Sequence, residues 1–101
     1  MKRPQECKNI EEVRNEIDSI DREILNLLGK RFGFVKEVVK YKAPTKDSII
    51  AQERYNFVLD QRKKWAIEEG LDPQVIEQMY KLLIEHFISE ELKLIEKENH
   101  S

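Results

Sequence analysis

Cysteine, glycine and proline are all scarce in this sequence. Cys7 is the only cysteine among 101 residues, which excludes a disulfide framework and a cysteine metal cluster. Three glycines and three prolines form no glycine-rich loop of the kind that cradles phosphates. His86 has no histidine or acidic partner at metal-ligand spacing. We therefore expect no metal site.

Net charge and long apolar runs are lacking as well. Charged residues make up 38% of the chain but sum to only -2, so no global field favours nucleic acid or an anionic membrane. No apolar run approaches the roughly 18 residues that a membrane span needs, and the first residues lack the apolar core of a signal peptide. We expect a cytoplasmic protein that binds neither nucleic acid nor membrane.

Alternating strand patterns and internal repeats are also absent, and helical spacing dominates. It predicts an all-α fold with three helices, over residues 10–42, 51–69 and 73–97, within a single domain at 1–101. Pro44 prevents continuation of the first helix, and Asp72-Pro73 is a strong start signal for the third. Residues 43–50 mix turn formers with charged side chains and are predicted to be a mobile loop.

The first predicted helix is too long for a compact domain of this size. Its roughly 30 residues would span about 45 to 50 Å, against a radius of gyration near 13 Å. The apolar fraction of 40% is thin for an isolated monomer. We therefore predict an intertwined homodimer, in which a second chain covers the apolar side of the long helix.

An apolar stripe with spacings of three and four residues marks one face of this helix. Its members are Ile10, Val13, Ile17, Ile20, Ile24, Leu27, Val35 and Val38. Arg31 interrupts the stripe four residues before Val35, and Lys42 extends it four residues beyond Val38. A cation on a core face is costly unless an anion meets it. Two such positions on one line predict a pocket for an acidic ligand.

Three further polar residues lie near predicted apolar faces. Arg14 is about 100° around the helix from Arg31, so it would serve a neighbouring chain's pocket if the dimer shares its long helices. Arg54 lies on the same line as Val58 in the second helix and is expected to point inward. Glu91 lies on an apolar line of the third helix.

Two structural alternatives apply to these side chains. Each cation could rest its aliphatic stem on the core and reach solvent with its head, and Arg31 could pair with Glu91 as a buried bridge. Convergence favours a ligand, because four cations share at most one acidic partner on these faces. A small dicarboxylate would neutralise such a set, and the forked donors of arginine fit carboxylates well.

The motifs of the N-terminal half resemble those of the small all-helical chorismate mutase family. They are PQEC at 4–7, EVRNEIDSIDREILNLLGKR at 12–31 and FVKEVVKYK at 34–42. The chain is most similar to the family's branch of isochorismate-pyruvate lyases, which make salicylate. The resemblance covers nearly the whole chain, including Glu53-Arg54, WAIEEGLD at 65–72 and the third helix.

This resemblance implies an intertwined homodimer with two equivalent active sites and no cofactor. The family's cross-subunit arginine matches Arg14, and its other cationic positions match Arg31, Lys42 and Arg54. The lysine would lie at the edge of a loop that closes over the substrate. The implied reaction splits isochorismate into salicylate and pyruvate by a concerted hydrogen transfer, as in salicylate and siderophore biosynthesis. Arg14 and Arg31 would bind carboxylates, Lys42 the ether oxygen and a carboxylate, and Arg54 would add supporting charge.

Two positions depart from the family pattern. Glu91 stands where members commonly have a glutamine that donates to the ether oxygen, so Glu91 must be protonated to do the same. Burial would raise its pKa and nearby cations would lower it, and the sequence leaves the balance open. Tyr55 follows Arg54 where the mutases have a glutamate, and Ala51 takes the other nearby acidic position. Losing those acceptors disfavours chorismate.

We therefore rank the lyase above the chorismate mutase and expect weak mutase activity as a side reaction. A third hypothesis is a non-catalytic helical dimerisation module, which the long amphipathic first helix would also suit. The module would keep its function when Arg31 or Lys42 is replaced by alanine, whereas the enzyme would lose turnover.

Overall fold

The protein is all-helical in the computed structural model, which describes residues 2–99 and their side chains as far as residue 96. Four α-helices follow one another in this part of the chain, and they are α1 Ile10–Val38, α2 Lys46–Ile50, α3 Gln52–Glu68 and α4 Pro73–Asn99. Single 3-10 turns occupy Pro4–Glu6 and Val39–Tyr41. The prediction of an all-α fold with three long helices, the first of them the longest, is confirmed.

The chain divides into two compact units, one up to Phe34 and one from Val35 onward. The first unit consists mainly of α1, whose start is capped by Asn9, since the Asn9 side chain accepts from the backbone N–H of Glu12 at 2.9 Å. The Glu12 carboxylate in turn accepts from the Lys8 N–H at 2.8 Å. This bond, together with Lys2, lowers the pKa of Glu12. The reciprocal bonds fix where α1 begins.

The 29 residues of α1 give a helix of about 43 Å, at 1.5 Å per residue. Its regular part ends at Val38, four residues before the predicted end, and continues as one 3-10 turn. Lys42 is already extended, two residues before Pro44, which has no N–H with which to continue a helix. The apolar stripe is largely exposed in the single chain: Ile10 is 62% exposed, Ile17 51% and Leu27 55%.

In the second unit α3 and α4 pack against each other, and α2 packs against α4. The buried residues of this unit are Ile49, Val58, Leu59, Ala66, Glu91 and Ile95. Lys63 of α3 contacts the Glu77 carboxylate of α4 at 2.9 Å and links the two helices at their surface, and Lys81 contacts the same carboxylate within α4 at 3.1 Å.

A tight turn connects α3 to α4. Gly70 has a left-handed φ of 74°. Its N–H donates to the Ile67 carbonyl at 3.1 Å, and the Leu71 N–H donates to the Ala66 carbonyl at 2.8 Å. These two bonds form a Schellman motif, which ends α3. Asp72 then accepts from the Gln74 N–H at 2.9 Å and caps α4, as its sequence predicts.

The prediction of a mobile loop over residues 43–50 is wrong. Residues Lys46–Ile50 form α2, and the Thr45 hydroxyl accepts from the Ser48 N–H at 3.2 Å as an N-terminal cap. Ile49 is 1% exposed and is the largest fully buried side chain among the described residues. A capping threonine and a buried isoleucine outweigh the loop-forming tendency of the neighbouring residues.

Candidate functional site

Lys42 and Glu91 form an ion pair in the second unit. Their side-chain atoms Nζ and Oε2 are 3.4 Å apart. Lys42 Nζ also donates to the Ile49 backbone carbonyl at 3.1 Å. Lys42 is extended backbone after the last turn of the first helix, and Glu91 lies on the buried side of α4. The structure thus brings together two residues that the sequence had placed on separate apolar lines.

Glu91 is a buried carboxyl group, with only 5% of its surface exposed. Burial raises the pKa of Glu91 above its ordinary value of 4.5, and the opposing effect of the Lys42 ammonium is the smaller one. Glu91 therefore binds a proton more readily than an exposed glutamate does, and in its protonated form it can donate a hydrogen bond.

Tyr55 on α3 donates its phenolic hydrogen to the Glu85 carboxylate of α4 at 3.2 Å. Partial burial raises the pKa of Tyr55, and the negative charge of Glu85 adds to this effect. The tyrosine therefore remains a neutral donor.

Arg54 does not point inward as predicted. It is exposed in the single chain, and its guanidinium lies over the Phe57 ring at 5.4 Å from the centroid. Phe57 is itself 53% exposed. Cation–π contact of this kind holds an arginine at a surface with little loss of hydration.

Arg14 and Arg31 are both on α1. Arg14 is exposed, whereas Arg31 is half-buried although most of the apolar stripe around it is exposed. The exposure of Arg14 leaves its guanidinium accessible to a ligand or to another chain.

Sequence reasoning missed two partners in this region. The Ile49 carbonyl could have been anticipated from Thr45 and Asp47, a capping residue and an acidic residue of a first helical turn, followed by two isoleucines. The contact between Tyr55 and Glu85 had no signal in the sequence, because thirty positions separate them and only the packing of α3 on α4 brings them together.

Two properties of the described residues bear on the function classes. They contain no group of three histidine, cysteine, aspartate or glutamate side chains that could hold a metal ion. None of their helices combines the length and the apolar character that crossing a bilayer requires.

Comparison with known proteins gives consistent similarities. The sequence model of the family "Chorismate mutase type II" matches residues 13–92. The chain is 37% identical to the isochorismate pyruvate lyase of Pseudomonas aeruginosa, over 92% of this chain and 91% of that protein. It is 30% identical to the chorismate mutase of Methanocaldococcus jannaschii, over 78% of this chain and 80% of that protein. A T-protein of Haemophilus influenzae shares 37% identity over 67% of this chain, which is 18% of the T-protein.

Proposed function

Because this chain belongs to the type II chorismate mutase family, we propose that it is an isochorismate-pyruvate lyase, which converts isochorismate into salicylate and pyruvate. The observation that carries the proposal is the ammonium group of Lys42, which is held beside the buried carboxyl group of Glu91. The 37% identity to a lyase over nearly the full length of both proteins supports the choice of reaction.

The reaction is concerted in this proposal. The ether carbon–oxygen bond of isochorismate breaks while a ring hydrogen moves to the methylene carbon of the departing enolpyruvyl group. That group leaves as pyruvate and the ring becomes salicylate. Such a step uses no nucleophile and no general base. The protein accelerates it by holding the substrate in a reactive conformer and by placing positive charge where negative charge develops.

Each polar residue has a distinct role in this mechanism. We assign Arg14 and Arg31 to the two carboxylates of the substrate, for which their forked donors are suited. Lys42 contacts the ether oxygen and one carboxylate. Arg54 contributes supporting positive charge, and Tyr55 forms part of the surface that binds the ring.

Glu91 acts as a hydrogen-bond donor in its protonated form. Once protonated, it does not repel the dicarboxylate and it releases Lys42 from the ion pair. Both effects favour binding of substrate and stabilisation of the ether oxygen in the transition state. The raised pKa of Glu91 makes this form accessible at higher pH than for an ordinary glutamate.

Chorismate mutase is the second candidate activity. The 30% identity to the Methanocaldococcus jannaschii chorismate mutase supports it, since the same cations could fold chorismate for conversion to prephenate. Tyr55 and Ala51 argue for the lyase, because neither offers a carboxylate to the hydroxyl group of chorismate. We infer that mutase turnover is a weak side reaction.

A homodimer completes the site in this proposal. The exposed apolar stripe of α1 supports pairing, because burying it would remove a large apolar area from water. The exposed Arg14 of one chain would then reach the site of the other. A cytoplasmic location and a supply of salicylate for siderophores are further parts of the proposal.

Purified protein given isochorismate or chorismate tests the proposal. We expect salicylate and pyruvate in equal amounts from isochorismate, measured by salicylate fluorescence and by a coupled pyruvate assay, and little prephenate from chorismate. Lys42→Ala should lower lyase kcat by about 100-fold or more. Lys40→Ala is the matched control, because Lys40 is an exposed lysine two residues away whose ammonium contacts only Glu37 among the described residues.

The result also separates the enzyme from the dimerisation module. Unchanged dimerisation together with lost turnover in Lys42→Ala supports the enzyme. No salicylate and no prephenate from the unmodified protein would overturn the proposal.

A further inference from the structure

The position of Lys42 depends on a segment that follows it directly in the chain. Lys42 Nζ bonds to the carbonyl of Ile49, which is seven residues further on, and to Glu91 of α4. The residues between Lys42 and Ile49 therefore form a closed loop, joined at its ends by a side-chain bond. An ammonium group has three N–H donors. Within the described residues these two contacts use two of them, and one remains for a ligand.

Ile49 fixes this loop through its own side chain. It is 1% exposed, and it is the buried residue of α2 where α2 packs against α4. Its carbonyl lies in the last turn of α2, where carbonyl groups have no partner within the helix. Lys42 supplies that partner. A buried side chain therefore determines the place of the oxygen that orients the lysine.

Both ends of α2 hold the segment in its helical form. At its start the Thr45 hydroxyl accepts from the Ser48 N–H at 3.2 Å, and the Thr45 carbonyl accepts from the Ile49 N–H at 3.1 Å. At its end the Ala51 N–H donates to the Asp47 carbonyl at 2.9 Å. Thr45 is exposed, and among the described residues the recorded hydrogen bond of its hydroxyl is to α2, so removing the hydroxyl acts on Lys42 through α2.

We propose that α2 is a positioning element, in which docking of Ile49 against α4 aims the Lys42 ammonium before substrate binds. This inference rests on the proposed lyase activity for its catalytic meaning. Ile49 and Thr45 are positioning residues, and Lys42 is the group that contacts the substrate. The free third donor of Lys42 is then already directed when the ether oxygen arrives.

The experiment compares three variants of this segment. Ile49→Ala removes the docking side chain, and Leu59→Ala is its control, since it removes a buried side chain of the same size from α3. Thr45→Ala removes only the cap and keeps the buried core intact, and Thr45→Ser restores the hydroxyl. The capping pair keeps the test informative if Ile49→Ala does not fold.

The first measurement follows the lysine without any substrate. Reductive methylation of the folded protein, quantified by peptide mass spectrometry, gives the rate at Lys42 relative to Lys40, whose side chains are 22% and 69% exposed. We expect the relative rate at Lys42 to rise about fivefold in Thr45→Ala and more in Ile49→Ala. Thr45→Ser and Leu59→Ala should keep the relative rate of the unmodified protein.

The second measurement follows turnover of isochorismate. Ile49→Ala should lower kcat by about tenfold or more with a smaller change in KM. The reason is that the variant misdirects the Lys42 ammonium, whose contact with the ether oxygen strengthens in the transition state. A relative labelling rate and a kcat that change no more in Ile49→Ala and Thr45→Ala than in Leu59→Ala would overturn the inference. A protein without lyase turnover whose Lys42 labelling still responds would support the positioning and refute the proposed function.

Discussion

Glu91 is a carboxyl group that the fold has removed from water and placed 3.4 Å from an ammonium group. Loss of hydration acts on its ionised form more strongly than the attraction of Lys42 does. The two effects have opposite signs, so the protonation state of this residue follows from three-dimensional packing. We expect two measurable quantities to depend on this protonation state, namely the kcat/KM of the proposed lyase reaction and the free energy of unfolding.

The rate should depend on the charge of Glu91. We expect lyase kcat/KM to rise as pH falls toward and below the raised pKa of Glu91, because protonation supplies a donor and removes a charge that repels the substrate. Glu91→Gln should flatten this limb of the pH–rate profile, since an amide donates at every pH. Identical profiles for the two proteins would remove Glu91 from the mechanism.

Stability should change with pH in the same direction. A carboxyl group whose pKa is raised on folding stabilises the native state below its ordinary pKa of 4.5, and this stabilisation is lost as pH rises through the raised value. Between pH 4.5 and the raised pKa, the free energy of unfolding of the unmodified protein should therefore fall relative to that of Glu91→Gln, by up to about 1.4 kcal/mol per pH unit. Urea unfolding of both proteins measures this difference. A stability difference independent of pH would contradict the assigned direction.

Charged residues that interrupt an apolar face can be recognised from the sequence where one helix decides their position. Arg31 and Lys42 break the apolar stripe of the first helix, and Glu91 interrupts an apolar line of the last, which periodicity alone reveals. Arg54 was predicted inward on the same reasoning and is exposed, because a line drawn along one helix does not say which neighbour covers it. The capped segment that carries the Ile49 carbonyl could be anticipated from the sequence, whereas the bond of that carbonyl to Lys42 depends on how the segment packs.

At the scale of elements, the turn after α3 and the middle of α1 give glycine opposite roles. Gly70 is left-handed at φ 74°, whereas Gly33 lies within the helix, and an added Cβ would have no neighbour within 4 Å at either position. We expect Gly70→Ala to destabilise by about 1 to 2 kcal/mol through backbone strain. Gly33→Ala should stabilise by about 0.5 to 1 kcal/mol through helix propensity.

Thermal or urea unfolding of both variants measures these effects, and each variant is the control for the other. Equal shifts of the same sign would show that loss of glycine itself, and not its backbone conformation, determines the outcome.

The helices themselves were largely predictable, since caps and periodicity agree for α3 and α4. The bounds 52–68 and 73–99 lie close to the predicted 51–69 and 73–97. Over residues 43–50 the turn-forming composition of the sequence masks the capping signal at Thr45. A helix of five residues has almost no periodicity to detect, so only its cap and its buried isoleucine reveal it.

At the scale of the whole molecule, α1 carries an apolar stripe that the single chain leaves largely exposed. Ile10, Ile17 and Leu27 are each more than half exposed. Exposed apolar surface in one continuous stripe is typical of an interface between chains. The sequence predicts this stripe from its periodicity, and we propose that a second copy of the chain covers it.

Mixing two inactive variants tests whether two chains share each site. Arg14→Ala and Arg31→Ala should each lose most lyase activity as homodimers. After they are unfolded and refolded together, about a quarter of the unmodified activity should return, because half of the dimers are mixed and each has one intact site.

Recovery requires Arg14 of one chain to serve the site that contains Arg31 of the other. No recovery, with mixed dimers verified by native mass spectrometry, would show that Arg14 acts within its own chain. The double variant Arg14→Ala, Arg31→Ala mixed with either single variant is the control and should recover nothing.

Ala51 connects α2 and α3 without any intervening residue, and its backbone is left-handed at φ 46° and ψ 63°. Because no flexible linker lies between the two helices, α2 cannot move away from α4 gradually. α2 can separate from α4 only when the φ and ψ angles of Ala51 change to another allowed region. Separation of α2 from α4 is therefore expected to be an all-or-none exchange between two states, whose rate is set by the backbone of Ala51.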